Sequence, residues 1–369
     1  METKYDFERE FGEQILSCSV CGFCQAVCPI YGLTRRPALN ARGKMLVLQE
    51  VMKEDMELDE ETVETLFQCT GCASCATNCP SGVKVPEILY RVRQEMVAKG
   101  TCHPVFSGMN DLLATEANIY AEKDPPEYQE GRKLNETAQY VYFAGCVGAY
   151  REEEATETTL DLLDKFDVDY TLIDEVCCSG ILEDVGYDVY QTKADAIIDR
   201  VRATGARTLL TGCPYCYRVF KNKPQYKGLA ESGIDVVHIS RFLTDIDFGV
   251  ATDLTVTYHD PCDLGRHAGI YEEPRETIRK IAKNFVEMEH HREQSLCCGA
   301  GGGVRGSFPS HSIGMARRRL DEAEAIGADI VLTDCNSCVH NLANAKLRRQ
   351  KMEIFTTPQF ISHLLEEKG

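Results

Sequence analysis

The sequence predicts an α+β protein of several domains, with a helical N-terminal module followed by two tandem α/β repeats. Three observations carry that prediction. The first hundred residues hold two identically spaced cysteine motifs around a helix-patterned stretch; from Tyr140 onward short apolar strands alternate with helical stretches; and this second part repeats itself once. At 369 residues the chain is long enough to bury more than one small core. The expected division is a helical module over 1–100, a linker over 101–137, a first repeat over 138–250 and a second over 251–369.

In the first module, Ala41 to Phe67 (ARGKMLVLQEVMKEDMELDEETVETLF) reads as helical. Residues 81–100 read as an exit helix that starts near Pro86 and ends at Gly100, since proline fits a first helical turn and glycine a C-terminus. Pro125, Pro126 and the polar run to Asn135 mark the linker.

The repeat is legible element by element. YVYFAGC ends at Cys146, EVCCSG holds Cys177 and Cys178, and ARTLLTGCPYC holds Cys213 and Cys216. In the same order, TVTYHDPC ends at Cys262, LCCGAGGG holds Cys297 and Cys298, and ADIVLTDCNSC holds Cys335 and Cys338. The C-x2-C pairs are offset by 122 residues and the opening cysteines by 116, a drift that loop lengths absorb. In both copies a strand runs into a cysteine at its C-terminal end, where open α/β sheets gather ligands, so two equivalent sites facing each other are expected.

Composition removes several function classes. A net charge of −18 leaves no surplus of Lys and Arg to neutralise phosphates, which excludes a nucleic-acid partner. Acidic runs such as Lys53 to Glu64 and Glu152 to Glu154 read as solvated helix faces. The acidic N-terminus does not resemble a signal peptide and no apolar run has the length of a membrane span. A cytoplasmic location is expected, with any membrane association made through a partner subunit. In that compartment nineteen cysteines point to metal or redox chemistry rather than disulfides.

Eighteen of those cysteines fall into four groups. Cys18, Cys21, Cys24 and Cys28 with Pro29 form C-x2-C-x2-C-x3-C-P, and Cys69, Cys72, Cys75 and Cys79 with Pro80 form it again. Such a loop wraps three thiolates around one iron–sulfur cube while the fourth cysteine reaches the other cube. Cys18, Cys21, Cys24 and Cys79 are therefore assigned to one [4Fe-4S] cluster, and Cys28, Cys69, Cys72 and Cys75 to the other. Zinc sites use paired C-x2-C knuckles or histidines and lack the third close cysteine. Cys102, beside His103 and Pro104, has no matching partner and reads as a plain buried thiol.

The later groups each combine an upstream cysteine, an adjacent pair and a C-x2-C. Five thiols exceed one tetrahedral site, and neighbouring side chains point apart, so a single centre using both must be polynuclear and broad. The run CCGAGGGVRGS brings Gly299, Gly301 and Gly302 close to whatever Cys297 and Cys298 bind, where bare amides can hydrogen-bond sulfur. Gly301, Gly303 and Gly306 also satisfy G-x-G-x-x-G, but the surrounding dinucleotide unit is missing, so neither NAD nor flavin is expected on this chain. Arg266, His267 and Arg305 are basic spots that an anionic substrate could use, whereas Arg317 to Arg319 read as solvated helix residues. His259, ahead of Cys262 in YHDPC, has two readings: a proton relay to a nascent thiol, or a histidine hydrogen-bonded at a strand end.

Two C-x2-C-x2-C-x3-C-P motifs followed by two CCG-type repeats resemble the family of heterodisulfide reductase D subunits over nearly the whole chain. The resemblance implies a noncubane [4Fe-4S] cluster in each repeat, one on Cys146, Cys177, Cys178, Cys213 and Cys216, the other on Cys262, Cys297, Cys298, Cys335 and Cys338. It also implies that these cysteines split the disulfide of coenzyme M and coenzyme B. Electrons would arrive through the cubane clusters from a cytochrome b-type membrane subunit or a flavoprotein. One departure is that the first repeat reads CCSG where the family reads CCG. The segment CPIYGLTRRPALNARGK is similar to the iron–sulfur subunits of glycolate and lactate oxidising complexes, which implies the alternative of an electron-transfer subunit for a flavin-dependent 2-hydroxy-acid dehydrogenase. Breaking a disulfide takes two electrons and an iron–sulfur centre supplies one, so two facing centres suit a small anionic disulfide substrate.

Overall fold

A computed structural model describes residues 4–368, which divide between two compact units. One comprises the chain through Asp111 together with Ile181–Asp188 and Leu296–Arg318. Its helices Asp6–Leu16, Ala41–Met52, Glu60–Phe67 and Val85–Ala98 close on a core that includes Phe7, Leu48, Leu66, Ile88 and Val92. The stretch read as one helix breaks in two because Asp59 caps the second: its carboxylate accepts from the backbone of Glu61 and Thr62, and the Thr62 hydroxyl interacts back at the Asp59 amide. Asn40 caps the preceding helix by accepting from the Gly43 amide at 2.8 Å. Val85–Ala98 carries Pro86 in its first turn, in line with the exit helix read from the sequence.

Arg93, wholly buried on that exit helix, organises the start of the second motif. Its guanidinium donates to the carbonyls of Leu66 (2.9 Å), Phe67 (3.1 Å) and Cys69 (3.3 Å). Helix ends leave such acceptors without intrahelical partners, so the arginine both satisfies them and holds the chain entering Cys69. Between 101 and 137 the chain carries a helix, Pro104–Thr115, and a short turn, Glu127–Gln129.

The other unit holds two four-stranded sheets, parallel throughout. Strands β1 (Tyr140–Phe143), β2 (Tyr170–Leu172), β3 (Thr208–Thr211) and β4 (Asp235–His238) lie in the order β2-β1-β3-β4. Strands β5 (Thr252–Tyr258), β6 (Ala282–Phe285), β7 (Ile330–Leu332) and β8 (Glu353–Phe355) lie in the order β6-β5-β7-β8, the same topology. Register runs from Tyr140 opposite Tyr170 and Thr208, and from Val256 opposite Ile330. Strands β1, β2, β3 and β7 are short and almost wholly buried, as strands covered on both faces of a sheet are. Leu160 and Leu163 share a core with Val256, Ile330 and Phe360, so the two sheets are buried together within this unit.

Arg275, 0% exposed, is held by Asp260 at 2.7 and 2.9 Å and by Glu287 at 2.7 and 3.0 Å. Removing one partner of a buried ion pair strands the other charges. Arg275→Met should therefore cost about 3–5 kcal/mol in denaturant unfolding, whereas Lys283→Met, which breaks the exposed pair with Asp253, should stay within about 0.5 kcal/mol.

Candidate metal centres

Two cavities in the first unit each collect four cysteines. Cys18, Cys21, Cys24 and Cys79 line one of them. Cys28, Cys69, Cys72 and Cys75 line the other. Each therefore draws three thiols from one motif and the fourth from the other, and this donor set fits an iron–sulfur cube. Cys21 is exposed and Cys72 buried, so one cavity opens to solvent and the other lies deeper. Backbone N–H groups point at the sulfurs: Phe23 at Cys21, Arg42 at Cys24, Tyr31 at Cys28 and Val83 at Cys79, the last at 3.4 Å.

The helix start Ala41–Lys44 serves both cavities, with Arg42 lining the outer one and Lys44 the inner. Lys44 is buried and donates to the Leu39 carbonyl. Burial lowers its proton affinity, and the Cys69 and Cys28 sulfurs beside it pull the other way. Counting cysteines alone missed Lys44; the signal lay in ARGK, where a basic residue follows a cap.

Gly299, Gly301 and Gly302 belong to this unit with Cys297 and Cys298. The Gly299 amide donates to Cys297 Sγ at 3.4 Å. Gly299 (φ +88°) lets the chain pass the Ser312 carbonyl, which an added Cβ would meet at 2.5 Å. Gly302 (φ +61°) presses on the Cys69 carbonyl, which a Cβ would meet at 2.2 Å, and Gly301 on that of Thr70 at 2.7 Å. The glycine run thus approaches the loop of the second N-terminal motif. Thr70 stands between them, accepting from the Cys297 thiol at 3.6 Å.

In the other unit the first five-cysteine set converges. β1 and β3 are neighbours from which the chain leaves in opposite directions, the switch point where open parallel sheets bind ligands, and they deliver Cys146 and Cys213. Gly145 (φ +76°) brings that helix start against Cys216 Sγ and the Cys213 Cβ. Cys178 and Cys216 are linked at 3.5 Å, and Cys177 hydrogen-bonds with both Cys146 and Cys178. The adjacent pair, expected to diverge, shares this network because Ser179 (φ +53°) turns the chain sharply after it. Glu175 accepts from the Gly145 amide at 2.9 Å, and its burial pushes the carboxyl up to about 8. No disulfide joins any of the cysteines among the described residues.

The second set is divided. Cys262, Cys335 and Cys338 follow β5 and β7 in this unit, while Cys297 and Cys298 belong to the other. His259 is buried, and one of its ring nitrogens lies within 4.8 Å of the Cys338 sulfur. Arg319 Nε donates to His259 Nδ1 at 3.1 Å, which assigns the ring proton to Nε2. Burial, reinforced by the Arg319 charge, pushes the imidazole down to about 3, so it is neutral at physiological pH. Arg319 is 1% exposed and also donates to the carbonyls of Tyr258 and His290; the reading of Arg317 to Arg319 as solvated holds for Arg317 alone. Its register on the helix Pro309–Ala325 turns it inward, which a run of three arginines conceals.

Elements of the two sets meet inside this unit. Arg218, two residues past Cys216, pairs with Asp263, next to Cys262, at 2.9 Å, and both are largely buried. A Cβ on Gly148, beside the Cys146 end of the first set, would lie 2.3 Å from Asn336, which follows Cys335.

Ser179 replaces the expected glycine at the same left-handed position that Gly299 holds in the second repeat. The serine carries a strain of about 1–2 kcal/mol but its hydroxyl accepts from the Tyr190 amide at 3.1 Å. Ser179→Gly trades one for the other and should leave stability within about 1 kcal/mol. Ser179→Ala keeps the strain and loses the acceptor, and should cost about 1–2 kcal/mol in thermal or denaturant unfolding.

The geometry agrees with what known proteins offer for comparison. A family described as a 4Fe-4S dicluster domain matches residues 14–83, and a cysteine-rich domain matches 140–221 and 256–343. The chain is 33% identical over 367 residues to the D subunit of the dihydromethanophenazine:CoB–CoM heterodisulfide reductase of Methanosarcina acetivorans, across 89% of this chain and 88% of that one. It is 32% identical over 369 residues to the D subunit of the same enzyme from Methanosarcina mazei, with the same coverage. A crystal structure of a hypothetical protein from Helicobacter pylori shares the fold, with a TM-score of 0.62 over 98% of this chain and 76% of that one at 12% identity. With its dicluster module, its duplicated cysteine-rich domain and this identity over nearly full length, the chain belongs to the family of heterodisulfide reductase D subunits, which are iron–sulfur oxidoreductases.

Proposed function

We propose that this chain is the disulfide-reducing subunit of an electron-transfer complex. In this reading Cys18, Cys21, Cys24 and Cys79 hold one cubane [4Fe-4S] cluster, and Cys28, Cys69, Cys72 and Cys75 hold the other. Cys146, Cys177, Cys178, Cys213 and Cys216 hold one noncubane cluster, and Cys262, Cys297, Cys298, Cys335 and Cys338 hold a second. Convergence of the first five thiols into one network beside the Cys262 segment carries the reading, because a relay needs only four ligands per cluster.

Such clusters, when bound, supply single electrons and iron open to sulfur ligation. The chain's own residues do the rest. Splitting a disulfide consumes two electrons and two protons and yields two thiols. Two sets of thiols at adjoining strand ends would let both sulfurs be met together. Arg218, held by Asp263 between the sets, offers a cation to an anionic substrate of the coenzyme M–coenzyme B type, the disulfide named for the Methanosarcina relatives. His259 Nε2–H is a neutral donor facing the second set, and the Arg319 bond at Nδ1 keeps its tautomer. Electrons would come from a cytochrome b-type or flavoprotein partner.

Iron and acid-labile sulfide analysis of the anaerobically purified chain should give about sixteen irons, four for each of four clusters. Coenzyme M thiol added to the oxidised protein should induce a paramagnetic signal. The double variant Cys213→Ser/Cys216→Ser should drop to about twelve irons. About eight irons with no thiol response would instead favour a pure relay, such as one serving a 2-hydroxy-acid dehydrogenase.

A further inference from the structure

The outer N-terminal cavity opens at an apolar rim. Leu16 ends the first helix, and Val20 and Phe23 follow on the first cysteine motif; they are 62%, 41% and 62% exposed. Val20 and Phe23 also line the cavity, and Cys21 between them is itself exposed, so one edge of whatever the four thiols hold reaches the surface here. Single exposed apolar side chains are ordinary, but three beside one metal-binding loop mark a contact surface. Val20 sits at φ +55°, a left-handed conformation that a β-branched side chain adopts only at a cost. Glycine would relieve that strain, whereas valine keeps an apolar group at the mouth of the cavity.

Charge sets this surface apart from the rest of the chain. The protein carries −18, yet no Asp or Glu lies between Ser17 and Gln49 or between Thr65 and Pro86. The charged residues of those two segments are all basic: Arg35, Arg36, Arg42 and Lys44 in the first and Lys84 in the second. Arg42 lines the outer cavity. Lys84 is exposed, and its amide donates to the Gln14 side chain at 3.2 Å, which ties it to the helix that carries Leu16. Salt screens the acidity of the remainder beyond about 10 Å, so an approaching protein meets a cationic rim around an apolar centre.

We propose that this surface docks an acidic one-electron carrier of the ferredoxin type, a small protein whose own metal centre lies under an apolar patch edged by carboxylates. The proposal rests on the cluster assignment given above. Leu16, Val20 and Phe23 form the dry centre of the contact, and Arg42 and Lys84 meet the carboxylates. Electron-transfer encounters are among the smallest protein interfaces, so a patch of this extent suffices. In the step served, the carrier is oxidised by one electron and the centre on Cys18, Cys21, Cys24 and Cys79 is reduced by one. No bond is made or broken and no proton moves. Val20 and Phe23 are positioning residues here: they seat the carrier over the exposed Cys21 edge.

The test separates binding from electron transfer. The full chain carrying its clusters is titrated calorimetrically with an oxidised acidic two-cluster ferredoxin. It is then mixed by stopped flow with the reduced ferredoxin, and separately with reduced methyl viologen, a donor that needs no docking. Phe23→Ser should weaken ferredoxin binding about tenfold, and Lys84→Glu by about the same factor. Val20→Gly should also weaken binding while unfolding no more readily than the wild type, because it removes the side chain and the strain together. None of the three should change iron content or the rate with methyl viologen. Leu254→Ser, at an exposed apolar residue of the other unit, is the control and should bind as the wild type does. Wild-type affinity in both Phe23→Ser and Lys84→Glu, or no saturable binding of the ferredoxin to the wild type, would overturn the docking surface. Binding that the variants weaken, with no electron accepted from either donor, would support the surface and overturn the cluster assignment instead.

Discussion

Each α/β repeat brings cysteines from two different loops to one sheet edge because two neighbouring parallel strands end side by side and the chain leaves them in opposite directions. β1 and β3 do this for Cys146 and Cys213, and β5 and β7 for Cys262 and Cys335. Loops leaving such a point open a crevice that no side chain from the sheet fills. Only the ends need to be precise, so three- and four-residue strands suffice for β1, β2, β3 and β7. The paired cysteines after β2 are then folded back over the crevice, with Tyr226 Oη donating to the Cys178 carbonyl at 3.0 Å to hold the turn.

The N-terminal module meets the same need for thiol convergence without a sheet. Its loops are held by buried cations: Arg93 gathers the carbonyls ahead of Cys69, and Lys44 fills the floor of the inner cavity. Burying an ion costs several kcal/mol unless charge and hydrogen bonds offset it. Backbone carbonyls do so for both residues, and the Cys28 and Cys69 sulfurs add to this for Lys44. The same economy recurs in the second unit, where Arg275 and Arg319 are fixed behind the His259–Cys262 segment.

The motifs and the duplication were legible in the sequence because ligand spacing and strand–cysteine order are local. The pairing of three thiols with a distant fourth was legible too, since a proline-terminated motif leaves its last cysteine pointing away. What a linear reading conceals is where segments travel. Leu296–Arg318 lies inside the second repeat by sequence yet packs with the N-terminal module, where Gly301 and Gly302 lack the Cβ atoms that would overlap the Cys69–Thr70 backbone. Arg319 looked solvated because a triplet of arginines carries no face information, and the departure at Ser179 carried no sign that its hydroxyl would accept from the Tyr190 amide. Buried charge and special φ angles depend on tertiary partners, which periodicity does not report.

The central claim is that all four groups of cysteines are metal centres of one electron path. The most direct measurement is an anaerobic crystal structure with anomalous diffraction recorded on both sides of the iron edge. Iron density at both N-terminal cavities and at both five-cysteine sets is the predicted result. Iron confined to the two N-terminal cavities, with the later cysteines as free thiols or disulfides, would contradict the account.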